Sequence, residues 1–272
     1  MKHYLDIESL LKAGAHFGHL TRRWNPKMAQ FIFTEKNGIH IIDLRKTQIL
    51  ATLARDAAFE IAANGRNILF IGTKTQAKGL MADTAIKAGS NYVAERWLGG
   101  MLTNFQTIRK SIKRLETIDK MSVDGTYEKI TKKERLLLDR EKERLRKVFG
   151  GIEDMTRLPG ALFIVDTVKE HLAIKEAKIL GIPVIAICDT NTDPGGVDFP
   201  IPANDDSIGT IELIGTMIAE AINEGREIAK SRLAESSSSS DRESKESEGS
   251  SDDKDSKGKR KFRRRKTNEN EN

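Results

Sequence analysis

The chain has 272 residues, enough for one α/β domain with additions, and it can bury a full core without disulfides or metals to hold it. Lys and Arg total 46 against 40 Asp and Glu, a formal charge of +6 and a pI near 9.2, which favours a polyanionic partner. The single cysteine, Cys188, sits inside an apolar run; this excludes a disulfide framework and a Cys-rich zinc site and points to a buried thiol in a reducing compartment.

The start, M-K-H-Y-L-D-I-E-S-L-L-K-A-G, carries carboxylates where a secretory signal would be apolar, and no apolar run approaches the roughly 20 residues of a membrane span. A soluble, cytoplasmic protein with no membrane partner is expected. Leu5, Ile7, Leu10 and Leu11 predict a short amphipathic helix over 5–13, stopped by Gly14. G-H-L-T-R-R-W-N-P-K-M at 18–28 then reads as an irregular basic, aromatic loop, because Pro26 forbids continuous helix. Arg and Lys there suit phosphates, and indole or guanidinium planes suit unpaired bases; the plainer alternative is that Trp24 plugs a core edge while the arginines face water.

Phe31–Thr34 and Ile39–Ile42 read as strands around an Asn37-Gly38 hairpin turn. Leu50, Leu53, Ala57 and Ile61 predict a helix over 44–64, ended by Gly65. N-I-L-F-I-G-T-K at 67–74 reads as a buried strand entering a turn, followed by a helix to about Ala88. The turn is neither G-x-x-x-x-G-K-[ST] nor G-x-G-x-x-G, so a nucleotide site there is disfavoured. Asn91–Ala94 reads as a short strand, and Gly99-Gly100 in E-R-W-L-G-G-M-L-T-N-F as a hinge into an insert. In the insert, Ile108, Ile112, Leu115 and Ile118, then Leu138, Leu145, Val148, Ile152 and Met155, follow helical spacing. The pattern predicts a charged helical hairpin over 103–155, read as an arm; a merely solvated coiled coil is the alternative.

Between Arg157 and Asp206, the apolar runs Ala161–Val165 and Ile182–Cys188 each end at an acidic residue, Asp166 or Asp189, with a helical pattern between them. Right-handed crossover places both ends on one rim of a parallel sheet. Ile211, Ile214, Ile218 and Ile222 predict a last helix from Ile208 to about Leu233, with Asp205, Asp206 and Ser207 suited to its start. Residues 1–102 and 156–234 thus read as the sheet domain. Residues 235–272 read as a disordered Ser-rich, mixed-charge tail with a basic cluster at 257–266.

I-E-S-L-L-K-A-G-A-H-F-G-H, R-R-W-N-P-K-M, I-H-I-I-D-L, E-R-W-L-G-G-M-L-T-N and P-G-A-L-F-I-V-D through D-T-N-T-D-P together resemble the bacterial small-subunit ribosomal protein number two (S-two) family over residues 3–230. The resemblance implies an α/β fold with a flavodoxin-like, doubly wound parallel sheet and a protruding coiled-coil arm. It also implies a structural role in the small ribosomal subunit: binding small-subunit ribosomal RNA and neighbouring ribosomal proteins, and helping to recruit the messenger-binding protein S-one. No catalysis and no required cofactor come with it, and it says nothing of the tail.

On this reading Arg22, Arg23, Lys27 and Arg96 meet phosphates, Trp24 stacks or wedges, and Arg109, Lys110 and Lys113 add contacts from the arm. The competing class is a nucleotide-binding or enzymatic doubly wound protein, with acidic groups at the strand ends as bases or magnesium ligands. A third possibility is metal: His19, Asp189, Asp205 and Asp206 could meet at one rim as a nitrogen and oxygen set suited to zinc, while helix capping by the two aspartates is the plainer account.

Overall fold

The computed structural model describes residues 5–125, 127 and 130–249, with side chains described as far as Arg232. The N-terminal helix α1 (Ile7–Lys12) is capped by Asp6, which accepts from Glu8 N. Next come β1 (Phe17–Leu20), two 3-10 segments (Thr21–Arg23 and Pro26–Phe31), β2 (Ile32–Lys36) and β3 (Ile39–Ile42). They form an antiparallel sheet in the order β1-β3-β2. Asn37 and Gly38, at φ 55° and 73°, supply the two left-handed residues that a tight hairpin needs.

Five parallel strands make the main sheet: β4 (Ile68–Ile71), β5 (Tyr92–Val93), β6 (Ala161–Val165), β7 (Val184–Cys188) and β8 (Phe199–Pro202), in the order β5-β4-β6-β7-β8. Every residue of β4, β6 and β7 is buried, as expected of strands covered on both faces. Strand alternation sorts their side chains into two layers. Ile68, Phe70, Phe163, Ile185 and Ile187 pack with α1, α2 (Leu44–Ala63), α3 (Lys78–Lys87) and α7 (Ile208–Gly249). Leu69, Ile71, Leu162, Ile164, Val184 and Ala186 face the other way, toward Ala173 and Ala177 of α6 (His171–Leu180), Trp97, and the base of the insert. Cys188 belongs to this second layer, and burial pushes its thiol up to about 12.

The insert contains α4 (Phe105–Val123) and α5 (Lys132–Phe149). Thr131 and Glu134 form a reciprocal capping box at the start of α5. The helices are bridged by Asp119 to Lys142 at 2.6 Å and Arg146 at 2.7 Å, and by Arg114 to Glu141 at 3.0 Å. Ile108, Ile112, Leu115 and Ile118 are buried on α4, whereas Leu138, Leu145 and Val148 on α5 are only half-buried, so the two helices contribute unequally to the apolar stripe between them.

Two details differ from expectation. The segment 18–28 is not wholly irregular: Phe17–Leu20 is a strand, held by non-local pairing of Phe17 with Ile41 and Leu20 with Ile39. The sheet has an additional strand, β8, whose prolines are tolerated because it lies at an edge. The last helix, α7, spans Ile208–Gly249. The basic cluster at 257–266 lies outside the described residues.

Candidate functional site

At the carboxyl ends of the parallel strands, charged groups converge from four parts of the chain. Lys74 follows β4, Asp166 follows β6, Asp189 follows β7, and Asp205 and Asp206 precede α7. The ammonium of Lys74 lies 2.6 Å from a carboxylate oxygen of Asp205, 2.6 Å from one of Asp206 and 3.7 Å from one of Asp166. Asp166 is more than a strand-end residue: its φ of 69° is unusual for a residue with a side chain, and its carboxylate accepts from Val168 N and Lys169 N.

His19 reaches this rim from β1. Gly18 makes the approach possible, because a Cβ there would lie 2.6 Å from a Thr190 side-chain carbon. His19 N donates to Thr190 Oγ1 at 2.9 Å, and Thr190 Oγ1 donates to Asp189 Oδ1 at 3.1 Å. The His19 ring then lies between two carboxylates, with Nδ1 2.9 Å from Asp189 Oδ2 and Nε2 3.7 Å from Asp206 Oδ2. The bond to Asp189 raises the imidazole above its ordinary range against the opposing effect of burial. Burial, then the Asp189 charge, push Asp205 up to about 6, although Lys74 pulls it down. One lysine and one histidine among four carboxylates leave surplus negative charge, which a proton or a cation relieves.

A ligand atom from each of His19, Asp205 and Asp206 lies within 4.8 Å of the others. Asp189 stands behind His19 on the opposite ring nitrogen. A neutral imidazole donating from Nδ1 to Asp189 turns the Nε2 lone pair toward Asp206, which is how outer carboxylates orient ligating histidines. The donor set therefore fits a divalent ion chemically, on condition that Lys74 gives way. Capping of α7 falls to Ser207, which accepts from Thr210 N at 3.5 Å, leaving both aspartates available to the rim.

The same geometry bears on the nucleotide alternative. Strand order reverses between β4 and β6, where doubly wound sheets hold ligands. Here that crevice is flanked by Lys74 and Asp166, with Asp205 and Asp206 on the same lysine. Carboxylates repel phosphate; Lys74 is already engaged by them, and the Lys169 ammonium is turned to the Thr73 carbonyl at 3.0 Å.

Of the basic and aromatic candidates, Arg22 and Arg23 are exposed on the first 3-10 segment. Trp24, 38% exposed, rests at a tilt on the His40 ring with centroids 5.2 Å apart, so it both braces the small sheet and shows a face to solvent. Lys27 is exposed but lies 2.6 Å from Asp193. Arg96 is exposed in the W-L-G-G segment, and Lys110 and Lys113 are exposed on α4. Arg109 is tied inward, donating to the Met155 carbonyl at 2.7 Å. Beside the rim, Phe17 and Leu20 are 48% and 40% exposed and pair with half-buried Ile41 and Ile39, forming an apolar face on the small sheet. Sequence reasoning overlooked this face, along with Lys74 as the hub of the rim; the G-T-K turn was the available signal.

The family described as Ribosomal protein S2 matches residues 10–225. The chain belongs to the ribosomal protein S2 family. It is 61% identical over 226 residues to the small ribosomal subunit protein uS2 of Chloroherpeton thalassium, covering 83% of this chain and 90% of that one. The uS2 protein of Chlorobium phaeovibrioides is 59% identical over 225 residues, covering 83% and 88%. That of Christiangramia forsetii is 53% identical over 231 residues, covering 85% and 77%. The family match therefore takes in both sheets, the insert and the rim, and stops before the Ser-rich tail.

Proposed function

We propose that this chain is a structural, non-enzymatic component of the small ribosomal subunit, working in the cytoplasm, and that it binds ribosomal RNA. The observation that carries the RNA reading is the exposed Arg22, Arg23 and Trp24 on one short segment, fixed through Asn25 N to the Thr190 carbonyl at 2.8 Å. Arginines on a fixed segment meet phosphates without a large ordering cost, and the open indole face can stack on an unpaired base. Arg96, Lys110 and Lys113 extend the contact along the root and arm; Lys27 must exchange Asp193 for phosphate, and Arg109 contributes chiefly to arm structure. Arg22→Glu with Arg23→Glu should cut incorporation into small subunits severalfold while leaving the thermal midpoint close to that of the parent. Unchanged incorporation would refute the assignment.

The apolar face around Phe17 and Leu20 suits a protein neighbour, and the reading assigns it to docking of the messenger-binding protein S-one. Its own test is Phe17→Asp, which should release S-one from subunits that retain this chain. The His19, Asp205 and Asp206 cluster is read as a clip for zinc beside that face, with Asp189 orienting His19; magnesium is less suited to the imidazole donor. Elemental analysis of the purified protein after zinc loading should find metal near one per chain, lost in His19→Ala. Equal metal in both would place the ion elsewhere.

A further inference from the structure

Glu176 lies in α6, on the sheet domain, and is 8% exposed. Its carboxylate accepts five hydrogen bonds from the loop that joins β5 to α4. Oε1 takes the Trp97 indole N–H at 3.0 Å and the Gly100 amide at 2.8 Å. Oε2 takes the Leu102 amide, the Thr103 amide and the Thr103 hydroxyl, each at 3.0 Å. Among the described residues it forms no ion pair with a lysine or arginine; its negative charge is met by N–H and O–H dipoles, as in an anion-binding nest turned toward a side chain.

This loop is the root of the insert. Asn104 follows Thr103 directly and α4 begins at Phe105. Trp97, Met101 and Leu102 are buried in the same layer as Ile108, Ile112, Phe149 and Ile152, so the position of the loop fixes where both helices leave the sheet. Only an acceptor-only group with two oxygens satisfies five convergent donors. A glutamine of the same shape must turn its NH2 toward either the two donors at Oε1 or the three at Oε2, whichever way the amide is flipped.

We propose that Glu176 is the positioning residue that sets the bearing of the arm, so that engagement of RNA by the arm depends on a buried carboxylate outside the predicted RNA-contact set. The inference deepens the proposed RNA reading and rests on the arm being one of its contacts. It assigns the paired glycines a purpose as well: Gly100, at φ 88°, turns its amide into the carboxylate in a conformation that a residue with a side chain adopts only under strain.

The test uses the full chain with spin labels at Thr117→Cys on the arm and Lys178→Cys on α6, both exposed positions; the native Cys188 is buried and inert to labelling. The parent should give one narrow interlabel distance distribution by pulsed dipolar spectroscopy, and Glu176→Gln a broadened or displaced one. Amides of Gly100, Leu102 and Thr103 should exchange with deuterium about tenfold faster in Glu176→Gln, with β6 amides unchanged. Trp97→Phe removes one donor without creating a conflict and should show a smaller change of the same kind, which covers the case of a poorly folding Gln variant. An unchanged distance distribution and unchanged loop exchange in both variants would overturn the positioning role.

The consequence for RNA is read by cosedimentation with small subunits, with Lys110→Glu and Lys113→Glu together as comparator. The expected result is weakened binding in both the comparator and Glu176→Gln. Weakened binding in the comparator alone would overturn the link between bearing and RNA. No effect in the comparator would instead reject the arm as an RNA contact, and the role of Glu176 in setting the bearing would then be decided by the distance measurement.

Discussion

Glu176 and Asp205 are both buried carboxyls, yet their surroundings move them in opposite directions. For Glu176, burial raises the pKa, but bonds from Thr103, Trp97, Gly100 and Leu102 outweigh it and hold the group below its ordinary 4.5. A depressed folded pKa contributes stability that is fully present above the unfolded value and is lost as pH falls through the folded one. The stability gap between the parent and Glu176→Ala, measured by urea unfolding, should therefore be constant above about pH 5 and narrow below about pH 4.5. A gap independent of pH would show that the carboxylate charge is not what the loop uses. For Asp205, burial and Asp189 outweigh Lys74. Lys74→Met would leave Asp205 and Asp206 facing each other without their cation; a loss of about 3 kcal/mol in urea unfolding is expected, at the low end for a broken buried pair because Asp206 is half exposed. These residues were hard to find in the sequence for one reason. Lys74 meets a partner 131 positions away and Glu176 meets partners 73 to 79 positions away, and neither charge differs in type from the many that face water.

At the scale of elements, legibility followed burial. β4, β6 and β7 stand out as short unbroken apolar runs because both faces are covered. The β2–β3 hairpin shows through Asn37-Gly38, and α2 through its apolar spacing and Gly65. β1 was obscured because Gly18 and His19 carry no strand signal and its order comes from pairing with β3. β8 was obscured because Pro200 and Pro202 read as breakers. The junction of insert and sheet was also hidden. A Cβ at Gly151 would lie 2.2 Å from the Tyr92 carbonyl oxygen, so the chain beyond α5 passes against β5 with no room for a side chain. Gly151→Ala should destabilise the protein by about 1–3 kcal/mol, because the neighbour is backbone and cannot move aside easily. Chemical denaturation checks this, and a neutral substitution would mean that the arm root is more compliant than its packing suggests.

For the whole molecule, the parallel sheet is a platform whose two faces and one rim carry different tasks. One face is closed by α2, α3 and α7; the other holds α6 and the root of the arm. The rim carries His19 and its carboxylates next to the apolar face of the small sheet. The arginines of the β1–β2 segment and Lys110 and Lys113 of α4 are exposed, and their sign matches the net charge of +6. The family and fold were legible from motifs in order along the chain, while the allocation of charges between rim, loop and arm needed the structure. Cosedimentation with small subunits depleted of this protein, across a series of salt concentrations, tests the central claim most directly. Binding by the parent should fall steeply as salt rises. Arg22→Glu with Arg23→Glu should bind more weakly, with a log–log slope shallower by about one to two. Equal affinity and equal slope for the two proteins would contradict it.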